Sequence, residues 1–190
     1  MQKLLSILLL LFISVITTAC INNFAVQELN NKAKEYLDKG DTQTAICRLK
    51  SSLDLDNTVF ETHYNLGIAY LNAKEYDNAI KHFDETLKLK SDFPSVYFSK
   101  GVTYEEMYSE LVDETNDDDD DDNKENNTCP NCEQETKDND IKLSPTELLS
   151  KSIENYKLYL ENEKEASDYN DVSQKIKELE DKLAQSNEKQ

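Results

Sequence analysis

Glycine, proline and tryptophan are scarce in this 190-residue chain, which has three, three and none. So few turn formers favour long helices over a sheet of many short strands. Histidine is scarce as well. His63 and His82 are the only two, and neither has an Asp-His or Cys-His pair beside it at metal-ligand spacing. No Ser-His-Asp grouping, glycine-rich phosphate loop or HExxH run occurs. The histidines therefore read as surface or packing residues, with no catalytic, metal or cofactor site expected. Basic residues number 21 against 39 acidic, a net charge of −18. That sign opposes phosphate backbones and anionic lipid headgroups, so nucleic acid is not an expected partner.

One long apolar run is present, Leu4 to Ile16, broken only by Ser6 and Ser14. It is too short for a spanning helix, which needs about 20 apolar residues. With Lys3 ahead of it and the small residues Thr17-Thr18-Ala19 behind, it suits an export signal over residues 1–19. Cys20 follows at once, and this order resembles a bacterial lipoprotein signal. The resemblance implies a diacylglycerol on the Cys20 sulfur, with residues 20–25 as a short tether. Two or more acyl chains anchor stably, and so short a tether reaches on the order of 10–15 Å. Ile21 is not the Asp associated with retention at an inner membrane, which points to the outer membrane where there is one. Simple secretion, with Cys20 an ordinary thiol, is the alternative.

From residue 26 the chain repeats itself. Ala33, Gly67 and Gly101 are spaced by 34 residues, as are Tyr36, Tyr70 and Tyr104. Ala45 and Ala79, Ile46 and Ile80, and Leu55 and Leu89 keep the same step. Within residues 60–89, Leu66, Gly67 and Tyr70 share one helical face, and Ala79, Phe83 and Leu87 another. The turn Asn72-Ala73-Lys74-Glu75 between them forces an antiparallel pair. A small residue, an aromatic three later, then Ala and an aromatic at period 34 resembles the tetratricopeptide repeat family. Repeats are placed at 26–59, 60–93 and 94–162. Leu29 and Leu49 replace usual aromatics, and Thr86 a usual Ala.

The resemblance implies an all-α fold, a right-handed α-solenoid of about three hairpins whose first helices line a concave groove. The family's groove positions fall on Gln27, Asn30, Lys34 and Leu37, then Glu61, Tyr64, Ile68 and Leu71, then Ser95, Phe98, Val102 and Glu105. Asn30, Lys34, Tyr64, Ile68, Leu71, Phe98 and Val102 are the expected partner-binding residues; the chain's own C-terminal helix is the alternative occupant. The carboxylate clamp of chaperone-binding relatives is incomplete: Lys34 and Asn65 suit it, but Ser95 and Ser99 stand where a Lys and an Arg belong.

The third repeat is interrupted. Residues 113–140 hold 13 acidic residues and two lysines, so −11 of the net charge lies there and −7 elsewhere. Without apolar periodicity, the stretch 113–143 is expected to be a disordered loop. It carries Cys129-Pro130-Asn131-Cys132, read as a local disulfide or as a thiol–disulfide exchange motif. The run Asp117 to Asp122 lacks the Gly and final Glu of an EF-hand loop. Cys47 reads as a small half-buried packing residue. Helix resumes at a Ser144-Pro145-Thr146-Glu147 capping box, with Leu149, Ile153, Tyr156 and Leu160 as its stripe. Residues 163–190 form an amphipathic capping helix through Tyr169, Val172, Ile176, Leu179 and Leu183, or half of a coiled coil.

The expected function is a monomeric, non-enzymatic scaffold in the cell envelope that binds a protein or peptide in the groove and meets the membrane only through Cys20. Thiol–disulfide exchange and a structural spacer are the alternatives.

Overall fold

The computed structural model describes residues 23–114, 142–163 and 165–187. The export signal, Cys20, and nearly all of the acidic insertion with Cys129 and Cys132 lie outside the described residues. Seven helices and no strand occur among the described residues: α1 (residues 23–38), α2 (Thr42–Leu55), α3 (Phe60–Asn72), α4 (Tyr76–Leu89), α5 (Pro94–Glu114), α6 (Pro145–Asn162) and α7 (Tyr169–Asn187). From α2 onward each helix packs on the next, and α3 also touches α5. No helix among the described residues is long and apolar enough to cross a membrane.

The first two hairpins turn identically. Gly40 (φ 77°) and Lys74 (φ 59°), 34 positions apart, both take the left-handed conformation. Gly40 N–H donates to the Leu37 carbonyl and Asp41 N–H to that of Tyr36; Lys74 and Glu75 repeat this on Leu71 and Tyr70, each bond 2.9 Å. This paired closure satisfies carbonyls that a helix end leaves exposed. Asp41 then caps α2 by accepting from Thr44 N–H at 3.1 Å.

The interiors follow the repeat. Gly67 is small because the Phe83 ring lies against it: a Cβ there would stand 2.5 Å from the ring. Ala33, Ala45, Leu49, Leu66, Ala69, Tyr70, Ala79 and Phe83 form one buried cluster with Ile46 and Val96. Thr86, where the family prefers Ala, is fully buried and donates its hydroxyl hydrogen to the His82 carbonyl at 2.9 Å.

In the third hairpin α5 continues past residue 108, which stands where Lys74 stops α3, and reaches Glu114, so residues 113 and 114 of the expected loop are helical. Ser144 caps α6, accepting from Glu147 N–H, while the Glu147 carboxylate accepts from Ser144 N–H at 2.8 Å. The extra turns are held by Ile80, Tyr104 and Leu148, with Met107, Tyr108, Leu111 and Leu143 packed around them. Burial pushes the Tyr104 hydroxyl up to about 12, helped by Asp84, Glu154 and Asp77.

α7 lays Val172, Ile176 and Leu179 onto Leu149, Ile153 and Tyr156 of α6. Lys157–Glu180 (2.7 Å) and Lys175–Glu105 (3.0 Å) staple its flanks. Glu105 also accepts from Tyr156 O–H at 3.0 Å, so one carboxylate ties α5, α6 and α7 together. Burial first, and Glu105 second, raise the Tyr156 hydroxyl far above its ordinary range.

Candidate groove on the first helices

The sequence-expected residues do not form one open strip. Asn30 is buried. Its Nδ2 lies 3.0 Å from Ser52 Oγ and 2.8 Å from Thr62 Oγ1, and its Oδ1 accepts from Asn65 Nδ2 at 2.8 Å. It joins α1, α2 and α3, and its hydrogen-bonding capacity is spent there. Asn30 is therefore an internal strut instead of a groove contact. Asn65, half of the incomplete clamp, is committed to the same network.

Phe98 and Val102 are half-buried and engaged elsewhere. They pack against the cluster built by α6 and α7. Phe98 meets the Tyr156 and Tyr159 rings edge-on at 5.6 and 5.3 Å. Tyr159 donates to Asp168 at 2.9 Å, and burial, then this bond, pushes its hydroxyl up to about 12. A helix that caps an array must cover the last apolar face, and here that face includes the third repeat's share of the expected groove.

The other four residues lie on α1 and α3. Lys34 is exposed on α1. Ile68 and Leu71 of α3 are half-buried, resting on the first core cluster. Tyr64 meets Phe93 edge-on at 5.0 Å and Phe83 at 6.0 Å. Its hydroxyl lies 3.3 Å from that of Ser99, whose own hydrogen goes to the Ser95 carbonyl, so Tyr64 is the donor. Ser99, at a clamp position, is thus occupied within the chain. Lys34 on α1 and Tyr64, Ile68 and Leu71 on α3 are expected groove positions that keep exposed surface.

Two contacts were missed by sequence reasoning. His63 and His82 are buried and face each other across the α3–α4 interface, Nδ1 to Nδ1 at 3.1 Å. Cys47 is half-buried, as its pattern suggested, and is disulfide-bonded, which the pattern did not show. No group of three or more His, Cys, Asp or Glu placed to hold a metal occurs among the described residues.

Comparison with known proteins bears on the fold. The tetratricopeptide repeat model matches residues 60–93. No curated protein matches the chain. Among solved structures, the first TPR of Spaghetti (RPAP3), bound to the HSP90 peptide SRMEEVD, is similar at 14% identity over 84% of this chain and 93% of that one, with a TM-score of 0.57. MamA is 21% identical over 90% of this chain and 86% of that one, with a TM-score of 0.45. The chain therefore contains a tetratricopeptide repeat at residues 60–93, within an α-solenoid of the kind that tetratricopeptide repeats build.

Proposed function

We propose that this protein is a non-enzymatic scaffold that holds a peptide segment of a partner protein against α1 and α3, and that it does so in the cell envelope. The observation that carries the reading is the exposed surface kept by Lys34, Tyr64, Ile68 and Leu71 on a rigid array after the chain has capped its own end. Half-buried aromatics with few rotatable bonds make good anchors. Packed helix pairs hold them in place before binding, so little ordering is needed on association. The peptide held by the Spaghetti repeat shows that an array of this fold accepts one. The carboxylate clamp expected of chaperone-binding relatives does not carry over, because Asn65 and Ser99 here are bonded internally. An internal, largely apolar segment suits these positions better than a free C-terminus.

Export and the lipid on Cys20 rest on the sequence of residues 1–20. The disulfide at Cys47 suits an oxidising compartment, since structural disulfides are rare in the cytosol. The chain would then stand within a short tether of the membrane, with its acidic surface turned from the headgroups by like charge.

Site-specific photocross-linking in cells tests the site. A cross-linker at position 34 or 71 should yield one discrete adduct, and one at Arg48 or Lys81, on the second helices, should not. Ile68→Glu should abolish that adduct with helicity unchanged. Equal adducts from both sets of positions, or survival of the adduct in Ile68→Glu, would remove the groove. Separately, Cys20→Ser should move the protein from the membrane to the soluble fraction; retention on the membrane would rule out the lipid anchor.

A further inference from the structure

Single exposed apolar side chains are ordinary on a protein surface. Here they are not scattered. The large hydrophobic residues left exposed among the described residues are Phe24 (71%), Leu55 (42%), Leu89 (39%) and Tyr169 (46%). Phe24 lies in the first turn of α1, Leu55 ends α2, Leu89 ends α4 and Tyr169 opens α7.

Those four termini share one edge of the array. Consecutive helices run antiparallel, so α1, α3, α5 and α7 begin where α2, α4 and α6 end. Asn30, Ser52 and Thr62 bring the early part of α1, the late part of α2 and the start of α3 together. The Phe60 ring that opens α3 meets the Phe93 ring just before α5 at 5.4 Å, and the Lys90 ammonium just past α4 lies 4.4 Å from the Phe60 ring centroid. Tyr159 near the end of α6 holds Asp168 just before α7. The opposite edge is marked by Lys74, just past α3, and its ion pair with Glu110 late in α5 at 3.8 Å. None of the four exposed hydrophobics lies there.

The chain also treats the two edges differently. Residues 1–22 join the array at Asn23, on the apolar edge, and Cys20 stands three positions before it. The stretch 113–140, with −11 of the net charge, joins where α5 ends at Glu114 and α6 begins at Pro145, on the opposite edge. At about 1.5 Å per residue, the 21 residues of α5 separate that junction from the apolar edge by roughly 30 Å. That is several Debye lengths at physiological salt, each about 8 Å.

We propose that the apolar edge rests on a bilayer surface of zwitterionic lipid, with Phe24, Leu55, Leu89 and Tyr169 in its headgroup layer. This rests on the lipid anchor on Cys20 proposed above. A tether reaching on the order of 10–15 Å keeps the edge beside the lipid, and at such effective concentration contacts too weak to recruit a free protein are enough. A tyrosine suits this layer, where an apolar ring and a polar hydroxyl are both accommodated. The edge is not basic. Leu55 lies between Asp54 and Asp56, and Tyr169 follows Asp168; only Leu89 lies between cations, Lys88 and Lys90. Anionic headgroups repel such a surface, which is why the lipid is zwitterionic. Ile68 and Leu71 stand roughly 12–17 Å along α3 from Phe60, so the expected groove positions stay clear of the membrane.

The full chain carrying a fluorescent amino acid at position 89, or at position 72 on the opposite edge, tests this on phosphatidylcholine vesicles doped with nitroxide lipid. Emission from position 89 should be quenched and shifted to the blue, and that from position 72 unchanged. Phe24→Glu with Leu55→Glu should remove the quenching at 89 while the acylated chain stays on the vesicles; both side chains are exposed, so the fold is kept. Equal quenching at both positions, or quenching at neither, overturns the seating. If the mass of the purified chain shows no acyl group on Cys20, the anchor fails by itself. The same labelled chains are then mixed with excess vesicles: quenching at 89 alone retains the edge contact, and its absence overturns it. Self-association that the double variant abolishes, without quenching by lipid, gives the edge to a second copy of the chain and overturns the proposal as well.

Discussion

Repeats two and three each set a glycine against an aromatic ring, by very different routes through the sequence. In repeat two, Gly67 meets Phe83 after a three-residue turn. In repeat three, Gly101 meets Tyr156 across the whole acidic insertion, with a Cβ at Gly101 standing 2.8 Å from the ring. Ser152, where repeat two has Ala79, donates to the Gly101 carbonyl at 2.8 Å and is as fully buried. The contact is therefore fixed by side-chain size on the facing helices, and the connection only has to close. Closing a long connection costs little more than closing a medium one, since the entropy grows logarithmically with length. Repeat two instead stops α3 with a left-handed residue, and repeat three gains stability from the extra turns of α5 and α6 around Leu148.

The strongest way to break the comparison is Phe83→Ala. It should cost about 3–5 kcal/mol, because Phe83 fills the gap beside Gly67 and is fully buried. Chemical denaturation measures it; a loss below 1 kcal/mol would mean the ring does not set the helix separation. Next come Gly67→Ala and Gly101→Ala. Each gains helix propensity but drives a methyl into an aromatic ring, and overpacking of this kind costs about 1–3 kcal/mol. Loss in both would show one packing rule on either side of the insertion, whereas tolerance at Gly101 alone would show that the split hairpin is looser. Asn30→Ala should cost about 1–3 kcal/mol, as the groups it joins lose a partner away from water; an unchanged melting temperature would contradict the network. The smallest effect is expected from Lys74→Gly, which should stabilise by up to about 1 kcal/mol by removing a Cβ from a left-handed position. A matching loss in Gly40→Ala would confirm that the two turns are equivalent.

Much of this architecture is legible because it is local or periodic. Gly67, Gly101, Phe83 and Tyr156 announce themselves by register, and the caps at Asp41 and Ser144 by residue type followed by a helical pattern. The groove is less legible. Phe98 and Val102 share their register with the other expected groove positions, and only the packing of α5 against α6 brings Phe98 onto Tyr156 and Tyr159. Asn30 looks like a surface amide until Ser52, Thr62 and Asn65 are brought around it from two other helices. The His63–His82 contact depends on how α3 and α4 are rotated about their axes, which spacing along one chain does not encode. Asp113 and Glu114 read as the start of the charged stretch, although helix α5 carries them.

The Asn30 junction bears on how such an array can change in evolution. Solenoids lengthen and shorten by whole hairpins, which is easy when neighbouring units share only greasy surfaces. Here the opening hairpin is stitched to the next by a polar knot, so deleting α1 and α2 takes away the partners that Asn30 and Ser52 give to Thr62 and Asn65 on α3. Shortening from that end must therefore change Thr62 and Asn65 together, which makes the front of the array its least exchangeable module.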